Sequence, residues 1–172
     1  MSMQKEKGKS FETKIANLIH EFLMEQVGEY KTLVETVNNK NLHPKRDFSS
    51  GTFTNSNGDI DLGLAKKFMP FSIECKHHKD LDLSIESIFK DKIKKIYTMW
   101  DDQVSPNANR AKLYPLLVFK ANRTNEYAFF DVNKIDKFDL GKLKKYIKIE
   151  EKILCLFTDF LDVYFNKVEV NE

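Results

Sequence analysis

The chain has 172 residues, 41% hydrophobic and 31% charged, with 28 Lys and Arg set against 26 Asp and Glu. Such a length and mixture exclude wholesale disorder and two comfortable domains; they predict a single domain over 1–172 whose core draws on 14 Phe, 6 Tyr and 1 Trp. No apolar run approaches the roughly 18 residues of a membrane span, the basic start MSMQKEKGKS leads into no signal-like apolar stretch, and Cys75 and Cys155 read as reduced, buried thiols, so the expected location is the cytoplasm, or that of a host cell if the gene is a phage's.

Residues 1–9 are expected as a flexible basic arm. Phe11, Ile15, Leu18, Ile19, Phe22 and Leu23 follow helical spacing and predict a helix over 10–27, capped by Ser10 and ended by Gly28. Residues 30–38 fit a strand or a second short helix. Asn, Pro, Ser, Gly and Thr dominate 39–58, which predicts a mobile loop near a site. Alternation then predicts two strands, 59–65 and 71–77, joined by a turn at 66–70. A second helix is expected over 84–103, with Ile85, Ile88, Phe89, Ile93, Ile96, Met99 and Trp100 on its apolar face and Ser105-Pro106-Asn107 as its breaker. The nearly all-apolar 113–121 reads as a strand covered on both faces, paired as a hairpin with 127–132. Residues 133–151 give no clear pattern. A last strand at 153–157 and a short helix from Asp159 to near Phe165 complete an α/β fold, with a mixed central sheet of about five strands flanked by helices.

The strand pair 59–77 carries the unusual chemistry. Glu74 and Lys76 lie two apart on one face, and a turn near 67–68 would set Asp61 opposite Glu74. Charges on one face of a buried sheet are costly unless paired or bound to a cation. Two close carboxylates call for a hard divalent ion, and a lysine beside them can polarise water or hold a phosphate oxygen. Asp59 shares the strand face of Asp61 and is the competing or supporting ligand; the cross-strand placement opposite Glu74 favours Asp61.

Charge placement permits a polyanion partner. Residues 149–172 hold six acids and two bases, leaving 26 bases against 20 acids before them, and no acid occurs from Gln103 to Asn125. Twenty-five of the 28 bases are Lys, which meets phosphate as a point charge and seldom reads bases.

The Asp61…Glu74-x-Lys76 pattern resembles the PD-(D/E)xK nuclease superfamily. Within it, several segments resemble phage and archaeal-type Holliday junction resolvases. They are Gly8-Lys9-Ser10-Phe11-Glu12, the Arg46-Asp47-Phe48-Ser49-Ser50-Gly51 loop, Trp100-Asp101-Asp102-Gln103, Tyr114-Pro115-Leu116-Leu117-Val118-Phe119-Lys120 and Thr158-Asp159-Phe160-Leu161. The likeness spans about 8–165; no Pro precedes the aspartate. It implies a restriction-endonuclease-like core and a Mg²⁺-dependent endonuclease, with Mn²⁺ as substitute and no small-molecule cofactor. One or two ions would be held by Asp61, Glu74, the Cys75 carbonyl and Glu12. Lys76 would orient or help deprotonate the attacking water, and Gln103 would join the catalytic group. Lys9, Arg46, Ser50, His77, His78, Lys79 and Lys120 would meet the DNA, and the products would carry 5′-phosphate and 3′-hydroxyl ends. The implied substrate is branched DNA, cut by a homodimer whose interface could use helix 84–103 or the C-terminal helix. A sequence-specific endonuclease of restriction or homing type on the same core is the alternative.

Overall fold

A computed structural model describes residues 3–47, 58–78, 87, 94–136 and 138–165. Helix α1 (Met3–Gln26) leads into α2 (Gly28–Val37). A 3₁₀ turn at Lys40–Leu42 follows, then two-residue strands β1 (Lys45–Arg46) and β2 (Ile60–Asp61) and a 3₁₀ helix at Gly63–Lys67. Strand β3 (Phe71–His78) precedes α3 (Lys94–Met99), a π-helical turn at Trp100–Val104 and α4 (Ser105–Ala111). Then come β4 (Tyr114–Ala121), β5 (Tyr127–Asp131), β6 (Tyr146–Ile149), β7 (Lys152–Leu156) and α5 (Phe157–Phe165).

The main sheet has the order β3-β4-β5-β7-β6. Strands β3 and β4 run parallel, with Glu74 level with Leu117, and the other neighbours are antiparallel. Its two faces are apolar for different reasons. Phe71, Ile73, Leu116, Val118, Ala128, Phe130 and Ile153 point to one core, which α1, α2 and α5 close. Leu117, Phe119, Phe129 and Leu154 point to the other, closed by Ile96, Met99, Trp100 and Val104. This is the mixed α/β sandwich of the restriction-endonuclease-like class.

The first core is centred on aromatic rings. Phe160 lies 4.9 Å from Phe130 and 5.6 Å from both Phe71 and Phe138, at inclined or stacked angles. Each such pair adds about 0.5–1.5 kcal/mol beyond its area burial. The sheet is thereby a rigid platform for whatever its β3 edge carries.

Several expectations change. Residues 3–9 of the supposed arm are helical, because α1 begins seven residues before Ser10. The 30–38 segment is a helix. The expected strand 59–65 shrinks to Ile60–Asp61: Gly63, at φ +51°, turns the chain into a 3₁₀ helix, and a side chain there would collide with the Leu42 carbonyl. Pro106 breaks nothing, since it sits in the first turn of α4 where its missing N–H is not needed. Of the expected loop 39–58, residues 39–47 form a turn and β1, while 48–57 and most of 79–93 lie outside the described residues. Of the two surfaces expected to build a dimer interface, Phe157, Phe160, Leu161 and Val163 of α5 and Ile96, Met99 and Trp100 are buried within this chain, while Ile85, Ile88, Phe89 and Ile93 lie outside the described residues.

Candidate active site

The open edge of β3 is where the charges gather. Gly58 has φ +113°, and a Cβ there would lie 2.5 Å from the Ile73 carbonyl oxygen. Only glycine lets the chain come this close. The approach sets the Asp59 N–H on the Ile73 carbonyl at 2.7 Å, and the Asp47 N–H in turn donates to the Asp59 carbonyl at 2.8 Å. Asp59 is consequently anchored on both sides. Its Oδ2 accepts the buried Cys75 N–H at 2.8 Å.

Glu74 and Lys76 project from β3 on the face away from α1. Lys76 Nζ lies 2.5 Å from Glu74 Oε1 and 3.4 Å from Asp59 Oδ2, and both carboxylates are nearly buried. Burial, then the Asp59 charge, pushes the Glu74 carboxyl above its ordinary value, against the opposing pull of Lys76. For Lys76 burial favours loss of the proton, but the two carboxylates outweigh it and hold the ammonium above its usual value. Burial also drives the Cys75 thiol well up, with Asp59, Glu12 and Glu74 adding to the effect. Cys75 therefore has no thiolate to offer, and its polar contribution is its main chain.

The structure brings Asp59, and not Asp61, to Glu74 and Lys76. Asp61 is half exposed, pairs with Lys45 at 3.8 Å and caps the Gly63 N–H at 3.1 Å. It lines a separate cleft of about 220 Å³ with Asp47, Lys66 and Leu113. The cross-strand placement opposite Glu74 fails because β2 pairs with β1, as Asp61 with Lys45, and no 59–77 hairpin forms. The signal for Asp59 was the glycine directly before it.

Glu12 projects from α1 to Arg46, whose Nε donates to its carboxylate, with both side chains mostly buried. Since Asp47 is bonded to Asp59, this ion pair adjoins the acidic group. Gln103 is exposed on the π-turn packed over β3 and β4, and no hydrogen bond or ion pair joins it to Asp59, Glu74 or Lys76 among the described residues.

The expected DNA-contacting residues divide by face. His77 turns towards α1, 6.0 Å from the Phe11 ring, and its Nε2 is enclosed without a hydrogen-bond partner among the described residues. It lines a cavity of about 350 Å³ with Lys7, Ser10, Lys14 and Lys120. Lys9 stands on the same turns of α1. Glu126 partly neutralises this cluster, at 2.7 Å from Lys14 and 3.5 Å from Lys120. His78 turns the other way, its Nε2 3.0 Å from the Met99 sulfur. Ser50 and Lys79 lie outside the described residues.

Two buried carboxylates supply hard oxygen donors, with no thiolate or imidazole among them. That donor chemistry fits Mg²⁺ or Mn²⁺ and does not fit a structural zinc. Among the described residues no three acidic, His or Cys side chains converge on one point, and the Lys76 ammonium is the counter-charge that the two carboxylates have.

An acidic pair and a lysine, two of them from a Glu-x-Lys strand, on the rim of a mixed sheet flanked by helices define a PD-(D/E)xK nuclease core. The chain belongs to the phage putative PDDEXK endonuclease family, whose model matches residues 3–169. Among solved structures, Hjc of Archaeoglobus fulgidus, a Holliday junction resolvase from an archaeal hyperthermophile, is similar at 17% identity, over 79% of this chain and 87% of Hjc, with a TM-score of 0.33. No curated protein matches the chain in sequence. No described helix is long and apolar enough to cross a membrane.

Proposed function

We propose that this nuclease is a Mg²⁺-dependent DNA endonuclease that cuts branched DNA, with Mn²⁺ able to substitute. The observation that carries the reading is the Asp59–Glu74–Lys76 group, held at the open edge of β3 beside the Glu12–Arg46 pair. Asp59 and Glu74 would hold the ion, with the carbonyl of Cys75, the residue after Glu74, and Glu12 assisting. A bound divalent ion supplies Lewis-acid polarisation of the phosphate and a water acidic enough to attack it.

The protein's own part is positional and electrostatic. The Cys75 N–H and the Gly58 approach fix Asp59 in place. Burial keeps Glu74 and Asp59 poorly solvated, so each values a cation more than it would in water. Lys76 keeps its proton in this environment. Its charge orients the water and offsets charge building on the phosphate. Arg46, paired with Glu12, sits where a phosphate could compete for its guanidinium. Lys7, Lys14 and Lys120, with Glu6 on the same wall, offer a net cationic surface to the flanking backbone.

Branched DNA as substrate rests on the resolvase-like segments of the sequence, and two symmetric cuts would call for a homodimer. The test compares a labelled four-way junction, a duplex of the same sequence and a single strand, each with Mg²⁺, Mn²⁺, Ca²⁺ or chelator. Paired symmetric nicks in the junction alone are expected. Cutting of duplex at fixed sites with the junction ignored would replace this reading by the sequence-specific one.

A further inference from the structure

We propose that the Glu12–Arg46 ion pair is a latch on the ion site. It holds Glu12 away from Asp59 and Glu74 until a DNA phosphate takes Arg46. The chain therefore binds its divalent ion tightly only together with DNA. The inference rests on the nuclease reading and adds to it the order in which the site is completed.

Glu12 stands on α1 and Arg46 on β1, and their ion pair joins the two elements. Both side chains are mostly buried, at 14% and 18% exposure. Such a pair is a poor device for stability alone, since apolar side chains of like volume often do as well. Its place says more. Arg46 pairs in register with Ile60, the residue after Asp59, and the next residue, Asp47, donates its N–H to the Asp59 carbonyl. Glu12 lies near enough to β3 for its charge to help raise the Cys75 thiol, ahead of Glu74 itself. The pair thus stands against the strand that carries Glu74 and Lys76, with Glu12 turned to Arg46. Among the described residues no third acidic, His or Cys side chain completes a group with Asp59 and Glu74.

Charge decides what releases Glu12. Asp59, Glu74 and Glu12 set against Lys76 and Arg46 leave one net negative charge. Asp47 and Asp61 line the separate cleft and stand outside this group. One negative charge is half of what a divalent ion needs, and Glu12 cannot give its full charge to Arg46 and to an ion at once. A phosphodiester on Arg46 brings the missing charge. It suits a guanidinium as a carboxylate does, through two parallel N–H bonds. Glu12, buried and without its cation, then gains most by turning to the ion. Whatever factor DNA binding gains from the ion, ion binding gains from DNA.

The test first leaves DNA out. Mn²⁺ binding to the full chain is followed by electron paramagnetic resonance of the free ion. Wild type is compared with Arg46→Gln, Arg46→Lys, Glu12→Gln and the double Gln variant, with circular dichroism to check folding. Arg46→Gln should bind Mn²⁺ roughly tenfold tighter than wild type, and Arg46→Lys, which keeps a cation on Glu12, should stay within about twofold. Made on Glu12→Gln, the Arg46→Gln change should gain less than about threefold, the share due to removing a positive charge nearby.

A second arm stands even where Arg46→Gln fails to fold. Fluorescence anisotropy reads the affinity of wild type and Glu12→Gln for a labelled four-way junction and a duplex. Each is measured in chelator and in saturating Ca²⁺, with the strands checked intact on a denaturing gel. Ca²⁺ should tighten binding by wild type roughly tenfold and by Glu12→Gln less than about threefold, whereas an ion acting only as salt weakens it. A Mn²⁺ affinity untouched by Arg46→Gln, an equal gain without Glu12, or an equal Ca²⁺ effect in the two proteins would each overturn the latch and leave the nuclease reading standing. No Mn²⁺ binding by any of the proteins would overturn both.

Discussion

Asp59 accepts the amide N–H of Cys75 at 2.8 Å through the same carboxylate oxygen that lies 3.4 Å from the Lys76 ammonium. One aspartate is thereby bonded to the main chain of the Glu-x-Lys strand and to its lysine. Asp61, two residues on, reaches neither and pairs with Lys45 in solvent. Asp59→Asn should lower the single-turnover cutting rate by roughly 100-fold or more, as loss of a placed charge in a catalytic group does. Asp61→Asn should change it by less than about threefold, in keeping with an exposed ion pair. Equal losses in the two variants would return Asp61 to the site.

Gly58 makes the Asp59 placement possible, and its replacement should show in stability before it shows in chemistry. Gly58→Ala has to leave φ +113° or push its Cβ into the Ile73 backbone. A cost of about 1–3 kcal/mol is expected from denaturant melts, with cutting impaired even where the chain remains folded. Gly28→Ala is the matched control. Open space surrounds Gly28 at the start of α2, so that variant should be neutral or stabilised by about 0.5–1 kcal/mol.

How much of this was legible in the sequence follows from which periodicities survive in three dimensions. Strand β4 and its hairpin with β5 were readable because Leu116, Leu117, Val118 and Phe119 are all buried, one after another, as only a strand covered on both faces allows. The Glu74-x-Lys76 pair was readable because β3 is a regular eight-residue strand. Asp59 and Asp61 were not separable in that way. Ile60, Leu62 and Leu64 alternate like a strand, yet the period breaks at Gly63, where φ is +51° and the Leu42 backbone, far off in sequence, leaves no room for a side chain. The helix after α3 was misread for a similar reason. Its π-turn at Trp100–Val104 carries an extra residue, which shifts the apolar register so that Val104 and Ala108 still face inward past the expected break. Residues 3–9 have no apolar stripe of their own and are helical because α1 continues through them.

Stability should fall on mild acidification because of His20. Its ring stacks on His43 with centroids 4.4 Å apart, and its Nδ1 is 2.8 Å from the Tyr30 hydroxyl. Burial, then the His43 charge, lowers His20 below its ordinary 6.5, against the opposing pull of Glu21. The unfolded chain therefore binds the proton at a higher pH than the folded one. The stabilising contribution is full above pH 6.5 and drains away as pH falls below it towards the folded value. His78 is lowered too, by burial and by Lys95, Lys76 and His77, and acts with the same sign. Melting temperatures should drop between about pH 7.5 and 5.5. His20→Gln, which can still meet Tyr30, should make the drop smaller while His78 keeps part of it. An unchanged slope would mean that the imidazole pair does not sense the proton.

Lys76 offers the sharpest separation of binding from chemistry. Its ammonium is the counter-charge for two nearly buried carboxylates. Removing one partner of such a group costs about 3–5 kcal/mol, because the remaining charges are left buried and unpaired. Lys76→Ala should therefore melt earlier than wild type in chelator, and the loss should shrink at low pH, where Glu74, already raised by burial and Asp59, takes up a proton. Mg²⁺ should raise the melting temperature of Lys76→Ala more than that of wild type, since an added cation replaces the missing one. The variant should still bind DNA and should cut none of it, because the fixed positive charge beside the water is gone. Wild-type cutting by Lys76→Ala would remove the lysine from the mechanism. An equal Mg²⁺ response in the two proteins would show that the ion binds away from Asp59 and Glu74.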